Sequence, residues 1–186
     1  MRIIAGKYRG RKLKSPPSSK TRPTSDRLRE TLFNVLAQRI EGARLLDLCA
    51  GTGAVGIEAL SRGASHVTFV DKSRKMCALI EANLNALDVD KKQREIITAA
   101  ASEFLRRHVK RREHAFDVVF FDPPYATNYE DVLNLVDEYG SQSLGGVGIV
   151  IVEHHKKKSL PDEFRALERY RELKQGDSIL SFYHVR

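Results

Sequence analysis

Between residues 44 and 152, short apolar runs alternate with segments of helical period. Strand-like runs fall at 45–49, 66–70, 95–98, 117–121 and 148–152, and helix-like segments at 55–62, 75–87, 101–111 and 129–139. Runs that are apolar at nearly every position predict strands buried on both faces, as in a parallel sheet covered by crossover helices. Two more strand-like runs, 167–173 and 178–184, flank Gln175-Gly176-Asp177 and predict a terminal β-hairpin. The expected fold is α/β, with a mixed seven-stranded sheet that ends in this hairpin. Ahead of it, 3–13 reads as a short hairpin, 15–19 as a Ser/Pro loop, and 26–37 as a helix capped by Thr24 or Ser25. The chain of 186 residues suits one domain of roughly 100–200 residues with a small extension.

Charge is unevenly placed. The net charge is +8, and residues 1–30 hold ten Lys/Arg against Asp26 and Glu30. The other 22 bases and 22 acids cancel, so the whole excess sits in the N-terminal arm. A polyanionic partner, nucleic acid first, accounts for such an arm. Lys7, Arg9, Arg11, Arg22, Arg27 and Arg29 are the candidate phosphate contacts. The basic runs at 106–112 and 154–158 read first as solvated faces. No stretch approaches the roughly 18 apolar residues of a membrane span. The two cysteines, Cys49 and Cys77, form no CxxC pair, which fits a reduced cytoplasmic setting and supplies no zinc ligand set. His154 and His155 are adjacent, point apart on a strand and lack a third ligand, so no metal is expected.

Two motifs carry the chemistry. Gly51-Thr52-Gly53-Ala54-Val55-Gly56 matches G-x-G-x-x-G between a strand and a helix, with Asp71 about 20 residues on, where an acid accepts from ribose hydroxyls. That pattern alone fits either a nicotinamide cofactor or S-adenosylmethionine. Asp47, just before the glycines, favours a cationic ligand and would repel a diphosphate. The second motif closes the run 116–121 with Asp122-Pro123-Pro124-Tyr125. Proline donates no ladder hydrogen bond and restricts the residue before it. Asp122 and the Pro123 carbonyl therefore stand as acceptors at a strand's carboxyl end, beside a stacking ring. This suits a planar base with an exocyclic amine. Cys49, on the strand leading into the glycines, reads as packing.

Leu46-Asp47-Leu48-Cys49-Ala50-Gly51-Thr52-Gly53 together with Asp122-Pro123-Pro124-Tyr125 resembles the S-adenosylmethionine-dependent amino-methyltransferases. The start, Arg2-Ile3-Ile4-Ala5-Gly6 with Thr21-Arg22-Pro23-Thr24-Ser25-Asp26-Arg27-Leu28-Arg29-Glu30, narrows the resemblance to the RsmD type of bacterial 16S ribosomal RNA guanine-N2 methyltransferases. It spans nearly the whole chain. It implies a Rossmann-like class I methyltransferase domain over 41–186 and a basic, RNA-contacting extension over 1–40.

The resemblance also implies residue roles. Ala50, Gly51 and Gly53 would line the cofactor's methionine and ribose, Asp47 its amino group, and Asp71 the ribose diol. Lys72 and Ala101 would border the adenine. Asp122, Pro123 and Tyr125 would form the target-base pocket, with Asp122 also against the cofactor. Relatives often carry Asp or Asn where this chain has Ala100, so adenine recognition here falls to backbone groups or Ser102. The implied partner is ribosomal RNA or the assembling small subunit, and the implied state a monomer away from membranes.

Other classes stay open on the residues. A DNA methyltransferase acting on adenine N6 or cytosine N4 shares the Asp-Pro-Pro-Tyr motif, but no segment is left over for a target-recognition domain. A non-catalytic ribosome-assembly factor that keeps the fold would not require that motif intact. A nicotinamide-linked oxidoreductase lacks a proton-relay candidate.

Overall fold

A computed structural model describes residues 1–16, 25–109, 116–124, 129–143 and 148–186. The elements run in the order α1 (Asp26–Val35), β1 (Arg44–Leu48), α2 (Ala54–Ser61), β2 (His66–Asp71), α3 (Arg74–Ala86), β3 (Arg94–Thr98), α4 (Ala101–Val109), β4 (Val118–Phe121), α5 (Tyr129–Ser143), β5 (Ile149–His155), β6 (Leu167–Gln175) and β7 (Ser178–Val185). The strands form one seven-stranded sheet in the order β3-β2-β1-β4-β5-β7-β6. β1 to β5 pair in parallel, and β7 runs antiparallel between β5 and β6. The mixed sheet and terminal hairpin are those expected. A 3-10 turn at Lys91–Gln93, capped by Asp90, was not legible in the sequence.

The sheet separates two apolar layers, and alternate residues of each strand enter alternate layers. Leu45, Val118, Phe120, Ile149, Ile151, Leu180 and Phe182 face one layer with α1, α2 and α3. Leu46, Leu48, Val119, Phe121, Val150, Val152 and Tyr183 face the other with α4 and α5. Cover on both faces explains why β4 and β5 read as unbroken apolar runs.

The N-terminal arm belongs to the first layer. Ile3, Tyr8 and Leu13 are buried there beside Leu28, Leu32 and Phe33 of α1. The arm doubles back on itself through the Ile3 amide to the Arg11 carbonyl (3.0 Å) and the Gly10 amide to the Ile3 carbonyl (2.9 Å). Residues 1–16, α1 and the central strands thus share one core. Ser25 caps α1, its hydroxyl accepting from the Leu28 amide at 3.1 Å. Among the described residues, no helix is long and apolar enough to cross a membrane.

Arg29 requires a correction. It was expected to meet phosphate, yet its side chain is fully buried. It donates to the Arg2 carbonyl and pairs with Asp26 at 3.1 Å and with Glu58 of α2 at 3.7 Å. Burial pulls its pKa down while Glu58 and Asp26 push it back up. A guanidinium enclosed between two acids and the arm cannot reach RNA. Its charge serves the joint between α1, the arm and α2.

Candidate active site at the carboxyl edge

β1 lies between β2 and β4, with Leu48 in register with Val70 on one side and Phe121 on the other. The chain passes from β1 to β2 in one direction and reaches β4 on the opposite side of β1. Strand order therefore reverses at β1 and β4, and at such a switch the loops leaving adjacent strands part and open a crevice. The residues one step past the register are Asp71, Cys49 and Asp122. The two motif loops thus leave the same edge of the sheet, side by side.

Backbone hydrogen bonds tie these loops together. The Ala50 amide donates to the Val70 carbonyl (3.0 Å), Asp122 to Leu48 (3.4 Å) and Ala99 to Asp71 (3.1 Å). The last of these brings the loop with Ala100 and Ala101 to the same edge. Cys49 holds a left-handed φ of 63°, and its thiol is pushed up to about 12, by burial first and then by Asp71, Asp122 and Asp47. Such a thiol stays protonated and is not a nucleophile.

Asp71 is the loop's anchor. One carboxylate oxygen accepts from the Gly51 amide at 2.9 Å and the other from the Ser73 amide at 2.8 Å. Gly51 and Gly53 have φ of 54° and 75°, which other residues adopt only with strain. Gly53 caps α2 without a side chain. Asp47 supplies that missing cap from β1, accepting from the Gly56 amide at 3.0 Å. Burial pushes the Asp47 carboxyl up to about 7, against the pull of the Gly56 amide and with added repulsion from Asp71. Gly56 itself is a packing residue, since a Cβ there would lie 2.3 Å from the Phe69 ring. Lys72 is exposed beside Asp71. Asp122 is half-buried, Pro123 buried and Pro124 exposed at the end of β4. Tyr125 and Arg22 lie outside the described residues.

The arm's remaining candidates, Lys7, Arg9, Arg11 and Arg27, are exposed. The Lys7 ammonium lies 5.2 Å over the Tyr8 ring, and Arg11 donates to the Ala86 carbonyl at the end of α3 at 2.8 Å. His154 is buried with its Nε2 2.9 Å from the Ser181 hydroxyl, and burial lowers its pKa. Among the described residues, no group of three His, Cys, Asp or Glu side chains is arranged to hold a metal.

This edge therefore brings together a glycine loop bonded to Asp71, the buried Asp47 of β1, and the Asp122-Pro123 segment at the end of β4. The family model described as Conserved hypothetical protein 95 matches residues 1–184. The chain belongs to the RsmD family. Ribosomal RNA small subunit methyltransferase D of Haemophilus influenzae is 40% identical over 161 residues, covering 86% of this chain and 81% of its own. YlbH of Bacillus subtilis is 37% identical over 187 residues, covering 100% of both chains. The solved yhhF protein of Escherichia coli superposes with a TM-score of 0.85 at 34% identity, covering 100% of this chain and 98% of its own. The fold is the Rossmann-like one of the methyltransferases, and this member of the family is a methyltransferase.

Sequence reasoning missed three residues of the surrounding frame. Glu58 accepts from the Ile4 and Ala5 amides (2.8 and 3.0 Å) and from Arg62 (2.8 Å), and Ser61 accepts from the Tyr8 amide (3.0 Å). Asn83 joins the arm to the glycine loop. Glu58 and Ser61 carried a signal, as polar residues within the otherwise apolar α2.

Proposed function

We propose that this protein transfers a methyl group from S-adenosylmethionine to the exocyclic N2 amine of a guanine in small-subunit ribosomal RNA. The observation that carries the proposal is the placement of Asp71, the glycine loop and Asp122 on adjacent parallel strand ends. The donor set fits the cofactor: Asp71 for ribose hydroxyls, the backbone of Gly51 and Gly53 for close approach, and Asp47 for a cationic amine. Ala50, Lys72 and Ala101 border the same space. When bound, S-adenosylmethionine supplies a methyl group on a positively charged sulfur.

The chain's own residues handle the base. A guanine N2 amine is a weak nucleophile because its lone pair is conjugated into the ring. Asp122 and the Pro123 carbonyl accept its two hydrogens, which turns the lone pair out of conjugation and toward the methyl group. As the bond from N2 to the methyl carbon forms, the sulfur–methyl bond would break and leave S-adenosylhomocysteine. The nitrogen becomes more positive, the Asp122 carboxylate stabilises that charge, and the surplus N–H proton passes to solvent. Orientation of two bound reactants supplies much of the rate. The target base must leave its stack to enter, and Tyr125 is assigned as the face that receives it. Lys7, Arg9, Arg11, Arg22 and Arg27 are assigned to phosphates, with the RNA free or in the assembling subunit. The enzyme acts as a cytoplasmic monomer in this account.

Asp122→Ala tests the assignment. Turnover on small-subunit RNA should fall by about a hundredfold or more, while calorimetry shows S-adenosylmethionine binding within a few-fold of the parent. Cofactor affinity that falls in step with turnover would remove Asp122 from the base pocket.

A further inference from the structure

The basic arm is fastened to the cofactor-bearing part of the molecule in two places. Its first half lies on the last turn of α2, where the Lys7 amide donates to the Ser61 carbonyl at 2.7 Å and the Ile4 and Ala5 amides donate to Glu58. Gly6 presses so close that a Cβ would fall 1.7 Å from the Ser61 carbonyl oxygen. Its second half ends on α3. There the Lys14 amide donates to the Asn83 side-chain oxygen at 2.8 Å. The Asn83 side-chain nitrogen donates in turn to the Lys14 carbonyl at 3.2 Å and to the Thr52 carbonyl at 3.4 Å.

Asn83 is 2% exposed and shares the inner face of α3 with Ile80 and Leu84. A buried amide is costly unless its groups are paired. These three bonds run to two places only: the arm, and the residue between Gly51 and Gly53. No other described side chain is shown bonded to both.

We propose that Asn83 is a positioning residue that couples RNA on the arm to the cofactor loop, so that each ligand tightens the binding of the other. The proposal rests on the function given above. The arm is already seated on α2 and α3; phosphates held by Lys7 and Arg9 add to that hold, which Lys14 passes to Asn83 and Asn83 to the Thr52 carbonyl. A cofactor entering a loop already ordered loses less freedom on binding. The coupling is reciprocal, so the bound cofactor favours the arm's RNA-competent position by the same factor.

The test is equilibrium dialysis of labelled S-adenosylhomocysteine, which cannot transfer a methyl group, with and without small-subunit ribosomal RNA, free and assembled. The parent, Asn83→Leu and Lys14→Pro are compared. Asn83→Leu removes all three bonds, and Lys14→Pro removes the arm's donor without touching α3. The parent should bind about fivefold or more tightly with RNA, and both variants should lose that ratio. A merely structural role would weaken binding equally with and without RNA and leave the ratio intact, which overturns the proposal. A parent ratio of one overturns it as well. If Asn83→Leu does not fold, the ratio for Lys14→Pro decides alone. A parent that binds no S-adenosylhomocysteine in either condition contradicts the function itself, not this coupling.

Discussion

The carboxylate of Asp71 accepts a hydrogen bond from the amide of Gly51 at 2.9 Å. The acid that ends β2 therefore shapes the loop that follows β1, in addition to any bond it makes to a ribose. Asp71→Asn keeps the size and loses the charge. Hydrogen bonds to charged groups contribute about 1.5–3 kcal/mol, so cofactor affinity should fall roughly ten- to a hundredfold. Calorimetric titration with S-adenosylmethionine reads this directly, and unchanged affinity would remove Asp71 from the site.

Asp47 gives the site a pH dependence. Its buried carboxyl titrates at about 7 in the fold, against about 4 in the unfolded chain. The folded state thus holds the proton more tightly, and stability attached to this group falls as pH rises from about 4 to about 7 and is level above that. The ionised carboxylate costs on the order of 4 kcal/mol. Denaturant melts of the parent and Asp47→Asn should diverge across that window, the parent losing ground as pH rises. A constant difference would contradict the assignment. A cationic ligand beside Asp47 lowers its pKa, so S-adenosylmethionine should release protons on binding below about pH 7 and fewer above it. Calorimetry in buffers of different ionisation enthalpy counts them.

Arg29 and the exposed arm residues should separate cleanly. Arg29→Met leaves Glu58 and Asp26 without their buried partner, and breaking a buried pair costs about 3–5 kcal/mol. Lys7→Ala with Arg9→Ala should change stability by no more than about 0.5 kcal/mol. It should also lower the slope of log affinity for RNA against log salt by about one for each phosphate no longer neutralised. Chemical denaturation and salt titration of RNA binding check the two halves. An unaltered slope would place the RNA-binding surface elsewhere on the protein.

Much of the fold was legible because the strands are buried on both faces. Runs such as 117–121 then carry no alternation to misread, and their order follows from crossover connections. Element ends were harder. β5 continues to His155 because β7 pairs along its whole length, from Ile149 opposite His184 to His155 opposite Ser178. That is a tertiary fact, with no trace in the local sequence. β6 runs to Gln175 through Lys174 because an edge strand tolerates charge.

The three acids stand out in the sequence because Asp71 and Asp122 each close an apolar run and Asp47 interrupts one. Arg29 was misread because charge counting treats every base in a basic arm as exposed. Its spacing to Leu32 and Phe33, three and four residues on, marks the inward face of α1. Glu58, within the apolar run of α2, is the acid that such a buried base requires. Asn83 was overlooked for a related reason: its partners, Lys14 and Thr52, are distant in sequence, and only the packed fold brings them together.

The most direct measurement is the chemical identity of the methylated nucleoside. The protein is incubated with labelled S-adenosylmethionine and with small-subunit ribosomal RNA, assembled subunits or duplex DNA, and the products are digested and resolved by mass spectrometry. The account predicts N2-methylguanosine from the small-subunit RNA, free or assembled, and no label in DNA. Label on adenine N6 or cytosine N4 of DNA, or label in none of the three, would contradict it.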